Sequence, residues 1–137
     1  MSFSRLMALS AAIALAGLLG CEQRQQVVPV TGKVLYKDQP LTSGSVMFQP
    51  EGGIPSSGTI GADGTFTLST YDVGDGATVG KNKVRVVSTQ VVNQNPDQEA
   101  KVGGSLIPEK YNNFGTTPLE FEVTPPGHTD AVLKLED

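Results

Sequence analysis

The sequence predicts an all-β domain, an antiparallel β-sandwich of about seven short strands, and three observations carry that reading. Apolar residues recur with period two in run after run from Val27 onward, as half-buried strands require. Nothing beyond the N-terminal leader sustains an apolar stripe at the helical spacing of 3.6 residues. The 137 residues include 16 glycines and 9 prolines, many threonines and valines, and no tryptophan, a composition suited to strands joined by many turns.

The elements follow in order. Val28, Val30, Val34 and Tyr36 share one face of a first strand, with Pro29 and Gly32 marking an edge or a bulge. Lys37-Asp38-Gln39-Pro40 supplies a turn. Ser45 to Gln49 alternates, with Val46 and Phe48 inward. Thr59-Ile60 and Thr65 to Ser69 flank Gly61-Ala62-Asp63-Gly64, with Phe66 and Leu68 inward; Asp-Gly between two such runs predicts a tight hairpin. Asn82 to Val87 turns Val84 and Val86 inward and Lys83 and Arg85 outward. Leu119, Phe121 and Val123 alternate with Glu120 and Glu122, and Ala131, Leu133 and Leu135 with Val132 and Lys134. Rows of this kind find partners when two sheets stack about 10 Å apart; an open barrel of the same strands is the structural alternative. Residues 88–108 break the rhythm with Gln90, Asn93, Gln94, Asn95, Pro96 and Asp97, then Gly103-Gly104, and read as a long polar loop, either functional or disordered.

The first twenty residues have the three parts of a secretory signal: one early charge, Arg5, an apolar run from Leu6 to Leu19, and small or aliphatic residues up to Gly20. The run falls short of the ~20 apolar residues of a spanning helix, and Glu22-Gln23-Arg24-Gln25-Gln26 ends it. Leu18-Leu19-Gly20-Cys21 resembles the lipobox of bacterial lipoproteins. That resemblance implies cleavage before Cys21, acylation of its thiol and attachment to a membrane through the lipid. Residues 21–26 then form a tether, and 27–137 the domain. Cys21 is the only cysteine, so no intrachain disulfide forms, and acylation removes a free thiol that would be a liability outside the cytoplasm. Glu22 is not the aspartate that retains lipoproteins at the inner membrane, and by that family rule the outer membrane is the destination.

The domain carries a second resemblance. Val30-Thr31-Gly32-Lys33-Val34, Pro40-Leu41 and Gly44-Ser45-Val46-Met47-Phe48 resemble the opening of carboxypeptidase regulatory-like domains. Gly58 to Leu68 resembles their central hairpin, and Val79-Gly80-Lys81-Asn82-Lys83-Val84-Arg85-Val86 the strand after it. Ile107-Pro108-Glu109-Lys110-Tyr111 with Thr117-Pro118-Leu119 is similar to short bacterial lipoproteins of that transthyretin-like group. The resemblance implies a prealbumin-like sandwich of about seven strands and little about activity, because such folds host many functions.

A search for chemistry returns little. The formal charge of the chain is −4, one unit more acidic once Arg5 leaves with the signal, and no Lys/Arg cluster points to nucleic acid. His128, the single histidine, lies in a Pro-Pro-Gly turn, so a histidine-rich metal centre cannot be assembled. There is no Gly-x-Ser-x-Gly elbow, and the C-terminus lacks the tail of the transthyretin-like hydrolases. Asp72 and Asp75, in Asp72-Val73-Gly74-Asp75-Gly76, are weak candidates for a calcium loop, against the plainer reading as turn residues. Tyr71, Tyr111 and Phe114 are weak candidates for stacking on a sugar or peptide, against a reading as core-edge aromatics. Glu120 and Glu122 follow the solvent alternation. The expectation is a non-enzymatic, cofactor-free envelope module, lipid-anchored and facing the periplasm or exterior, that binds or supports an envelope protein or glycan. The alternatives are a self-assembling structural protein and a small hydrolase. An exposed apolar patch would favour binding, a long unprotected edge strand self-assembly, and converging polar groups in a pocket an enzyme.

Overall fold

A computed structural model describes residues 24–92, 96, 97, 99 and 101–137; the signal sequence and Cys21 lie outside the described residues. Twelve strands form among the described residues: β1 (Val27–Val28), β2 (Val30–Tyr36), β3 (Gln39–Pro40), β4 (Ser45–Pro50), β5 (Ser56–Thr59), β6 (Thr65–Thr67), β7 (Ala77–Thr78), β8 (Gly80–Val87), β9 (Thr89–Val92), β10 (Lys101–Ser105), β11 (Glu120–Val123) and β12 (His128–Leu135). Four of them are only two or three residues long; the seven expected strands correspond to β2, β4, β5, β6, β8, β11 and β12, and the other five are additional.

Two four-stranded sheets enclose the core. One runs β11–β8–β4–β5, antiparallel throughout. The other centres on β2, with β12 along one side and β6 and β3 along the other. The inward rows are those the alternation marks: Val30 and Val34, Val46 and Phe48, Phe66 and Leu68, Val84 and Val86, Leu133 and Leu135 are all buried. Phe48 joins the layers, its ring 6.4 Å from Phe66 and 5.5 Å from Phe121, within the range of favourable aromatic pairs.

Three expectations need correction. First, β12 pairs with β2 in parallel, with Ala131 opposite Gly32 and Leu135 opposite Tyr36. The chain leaves β11 in one sheet, turns through residues 124–127 and enters the other at the end where β2 also begins; the His128 amide donates to the Pro29 carbonyl at 2.8 Å. Two strands that start at one end of a sheet can only run the same way.

Second, Asp63-Gly64 makes a tight turn, but not a hairpin. The turn is closed by Gly64 N–H to the Gly61 carbonyl at 2.9 Å and Gly61 N–H to the Thr65 carbonyl at 2.8 Å. Gly64 sits at φ +85°, and Asp63 Oδ1 accepts from both the amide and the hydroxyl of Thr65. Its two arms belong to different sheets, β5 pairing with β4 and β6 with β2, and they meet again only at Ser57 and Ser69. The turn is a corner between layers.

Third, residues 88–108 are not simply a loop. β9 continues past β8 and pairs antiparallel with β10, Val91 opposite Val102 and Val92 opposite Lys101. Ile107 and Tyr111 then return to the core. A ribbon with solvent on both faces has no inward side, so its sequence carries no alternation to read.

The register defines two ends. At one, the chain enters at Arg24–Gln26, and residues 51–54, 69–77 and 124–127 cluster around β1 and β7. At the other lie the Lys37-Asp38 turn, the Gly44 corner beside Val87, and the β9–β10 arm. β8 spans the distance between them, Gly80 at the entry end and Val87 at the far end.

Candidate functional site

At the entry end, Leu68 and Ser69 lead from β6 into the loop 70–76, and Asp75 organises it. Its carboxylate accepts the amides of Thr70 (2.7 Å), Tyr71 (2.9 Å) and Asp72 (2.9 Å). Desolvation pushes the Asp75 carboxyl upward, but the amides of Thr70, Asp72 and Tyr71 outweigh it and hold its pKa below the ordinary value. Ser69 Oγ accepts the Gly74 amide at 2.8 Å, and the Thr70 hydroxyl donates to the Gly76 carbonyl at 2.8 Å. Gly76 closes the loop at φ +109°, where a Cβ would fall onto the Val28 carbonyl. Asp72 and Asp75 therefore play different parts: Asp75 is directed at the loop's own amides, while Asp72 is exposed. Among the described residues no three His, Cys, Asp or Glu side chains gather as a metal set would. This loop leaves Val73 fully exposed at its tip.

The three aromatic candidates are not brought together. Tyr71 is half-buried; its hydroxyl accepts the Gln25 amide at 3.2 Å, and the Arg24 guanidinium lies 5.2 Å from its ring centre. Tyr111 is a core residue, 3 % exposed, in the single-turn 3₁₀ segment Glu109–Asn112. Its hydroxyl donates to the Glu136 carbonyl at 2.9 Å and accepts the Glu136 amide at 2.8 Å, so it pins the end of β12. Burial removes Tyr111 as a ligand platform. Phe114 is half-buried, with Arg85 stacked 5.3 Å from its ring centre on the outer side of the β8 sheet. A cation over the ring occupies the face a ligand would need.

His128 is also engaged. Its Nε2 accepts the Thr124 amide at 3.1 Å, and its ring meets Phe121 edge-on at 4.9 Å. That holds the turn between β11 and β12. Glu120 and Glu122 face solvent on β11. Glu120 rims a shallow open hollow of about 360 Å³ with Gln49, Pro50, Glu51, Lys81 and Lys83. Its charges stand apart: the ion pair found among the described residues is Lys37–Asp137, at 2.7 Å, at the far end.

The far end holds what sequence reasoning missed. On the arm, Val91 and Val102 face each other across the ribbon and are 75 % and 77 % exposed, with Val92 and Leu106 exposed beside them. An isolated surface valine needs no explanation, but a cross-strand pair on a projecting ribbon is a contiguous apolar patch. The sequence signal available was Val91-Val92 and Val102 inside an otherwise polar stretch. Asn82 was missed as well: fully buried in β8, it donates through Nδ2 to the carbonyls of Thr78 and Gly80 and braces the start of that strand. The outer edge of β12 is unpaired among the described residues. It is broken by a register shift between His128 and Ala131 and carries exposed Asp130 and Lys134, features that discourage edge-to-edge pairing.

No protein-family model, curated protein or solved structure matches the chain. Among the described residues no helix is long and apolar enough to cross a membrane.

Proposed function

We propose that this protein is a non-enzymatic binding or accessory module of the cell envelope, anchored through acylated Cys21 and engaging an envelope protein or glycan with its β9–β10 arm. The observation that carries the reading is the solvent-facing Val91–Val102 pair, placed at the end of the sandwich opposite the chain's entry. An anchor at one end and an apolar contact patch at the other suit a module that reaches outward from a membrane. His128 and Asp75 support the non-enzymatic reading, because the hydrogen bonds of both serve to hold turns. Self-assembly through β12 has less support, since that edge is interrupted and charged. Membership of the transthyretin-like group of short lipoproteins, and an outer-membrane rather than inner-membrane position, belong to the same proposal and rest on the sequence patterns above.

The test has two arms. Cys21→Ser abolishes metabolic fatty-acid labelling; undiminished labelling refutes the anchor. The tagged mature protein is then used to recover partners from detergent-solubilised envelope, beside a Val91→Ser, Val102→Ser double variant. A partner lost in the variant supports the arm as the contact, and equal recovery by both proteins refutes it.

A further inference from the structure

We propose that the loop 70–76, with Val73 at its tip and Ile54 beside the entering chain, rests on the surface of the bilayer to which the protein is anchored; this builds on the acylated-Cys21 reading. The argument is one of reach. Arg24 is part of the described domain, its guanidinium over the Tyr71 ring and the next amide, Gln25 N–H, bonded to the Tyr71 hydroxyl. Cys21 precedes Arg24 by three residues, and three residues of fully extended chain span at most about 11 Å. A lipid on Cys21 therefore draws the end of the sandwich that carries Tyr71 to within that distance of the membrane surface, and a long tether that would let the domain tumble freely is absent.

That end of the molecule suits such a position. Ile54 is 49 % exposed and shares a shallow hollow with Gln25, Gly52, Gly53 and Tyr71. Val73 is fully exposed. The loop that presents it is held by hydrogen bonds from Asp75, Ser69 and Thr70, so the valine is displayed on a fixed support. Exposing an apolar side chain from a rigid loop contributes nothing to the core; contact with lipid gives it an apolar surrounding. Tyr71 and Arg24 are side chains suited to the headgroup region, each with an apolar body and a polar end. Asp72 and Glu51 are exposed at the same end and oppose deep insertion, so the contact is shallow and does not depend on anionic lipid.

Because acylation consumes Cys21, a cysteine introduced elsewhere is the single reactive thiol of the mature lipidated protein. Val73→Cys, Ile54→Cys and, on the arm, Val91→Cys are each coupled to an environment-sensitive fluorophore and reconstituted into phosphatidylcholine vesicles containing headgroup spin-labelled lipid. We expect quenching at positions 73 and 54 to exceed that at 91 at least threefold. Equal quenching at all three positions, in protein that floats with the vesicles and carries the acyl mass on Cys21, overturns the docking proposal and leaves the anchor intact. Protein that fails to float and lacks the acyl mass overturns the anchor and the proposal together.

Discussion

The two ends of the sandwich are built on opposite plans. At the entry end, a seven-residue loop is fastened to itself, to Leu68 and Ser69 and to the Gln25 amide by side-chain and backbone hydrogen bonds, and Gly76 lies directly against the Val28 carbonyl. At the far end, β9 and β10 leave the body of the fold with solvent on both faces, holding to each other by one ladder. The first plan spends polar groups to fix a surface in place. The second leaves an apolar surface uncovered and attached by few contacts. Low local stability is the usual property of elements that bind, and high local order that of elements that must hold a fixed distance.

Substitutions can break or sharpen this contrast. The largest effect is expected at Gly76→Val, which combines a β-branched residue at φ +109° with a backbone clash against Val28; a loss of about 3 kcal/mol or more is expected in urea melts. Gly104 on β10 has nothing within 4 Å of an added Cβ, and Gly104→Val is expected to stay within about 0.5 kcal/mol of the parent. Equal losses at the two sites would erase the distinction. Gly103, by contrast, would press against Val92 and Gln90, so neighbouring glycines of the arm are not interchangeable.

Asp75→Ala removes the acceptor of three loop amides and is expected to cost about 1–3 kcal/mol. The same contact sets a pH dependence. The folded Asp75 carboxyl has a depressed pKa, so its contribution is present above the unfolded value near 3.9 and is lost as pH falls through the folded value. Melts at pH 7 and pH 3 should therefore show the parent and the variant converging in acid. A gap that is unchanged at pH 3 would remove Asp75 as the clasp of the loop.

Tyr111→Phe keeps the ring in the core and deletes both bonds to Glu136; about 1–2 kcal/mol is expected, read as a lower urea midpoint with an unchanged slope. The smallest effect is expected from Val91→Ser with Val102→Ser. These residues are exposed, and the pair should shift stability by no more than about 0.5 kcal/mol while changing partner recovery. A large stability loss there would show the arm to be part of the fold's support.

Much of the fold was legible because period-two alternation reports which face of a strand is buried. Val46, Phe48, Val84, Val86, Leu133 and Leu135 are all inward, and Glu120 and Glu122 outward, as their spacing requires. Alternation says nothing about which strand lies alongside or in which direction, so the parallel β12–β2 pair and the corner at Asp63-Gly64 were hidden. The arm was hidden for the complementary reason: with neither face buried, β9 and β10 had no pattern to show. The aromatic candidates were unresolved because a tyrosine beside a loop reads alike whether its ring covers the core, as Tyr111 does, or sits at the surface, as Tyr71 does. Asp75 carried a signal in Asp-Val-Gly-Asp-Gly, and that signal was for a self-bonded turn.

The parallel union of β2 with β12 has a consequence in time. It joins the first long strand of the domain to the last, and the Thr31 hydroxyl bonds to the Thr129 carbonyl across 98 positions of sequence. A chain leaves the ribosome, and threads any translocation channel that exports it, starting from residue 1. Throughout that passage β2 lacks the neighbour that covers one whole side, and the buried rows Val30–Val34 and Leu133–Leu135 cannot meet. Contacts of such long sequence separation also form late and slowly, since the intervening loop must be closed before they yield any stabilisation. The domain thus has a built-in delay: its second sheet cannot be completed until β12, residues 128–135, has arrived.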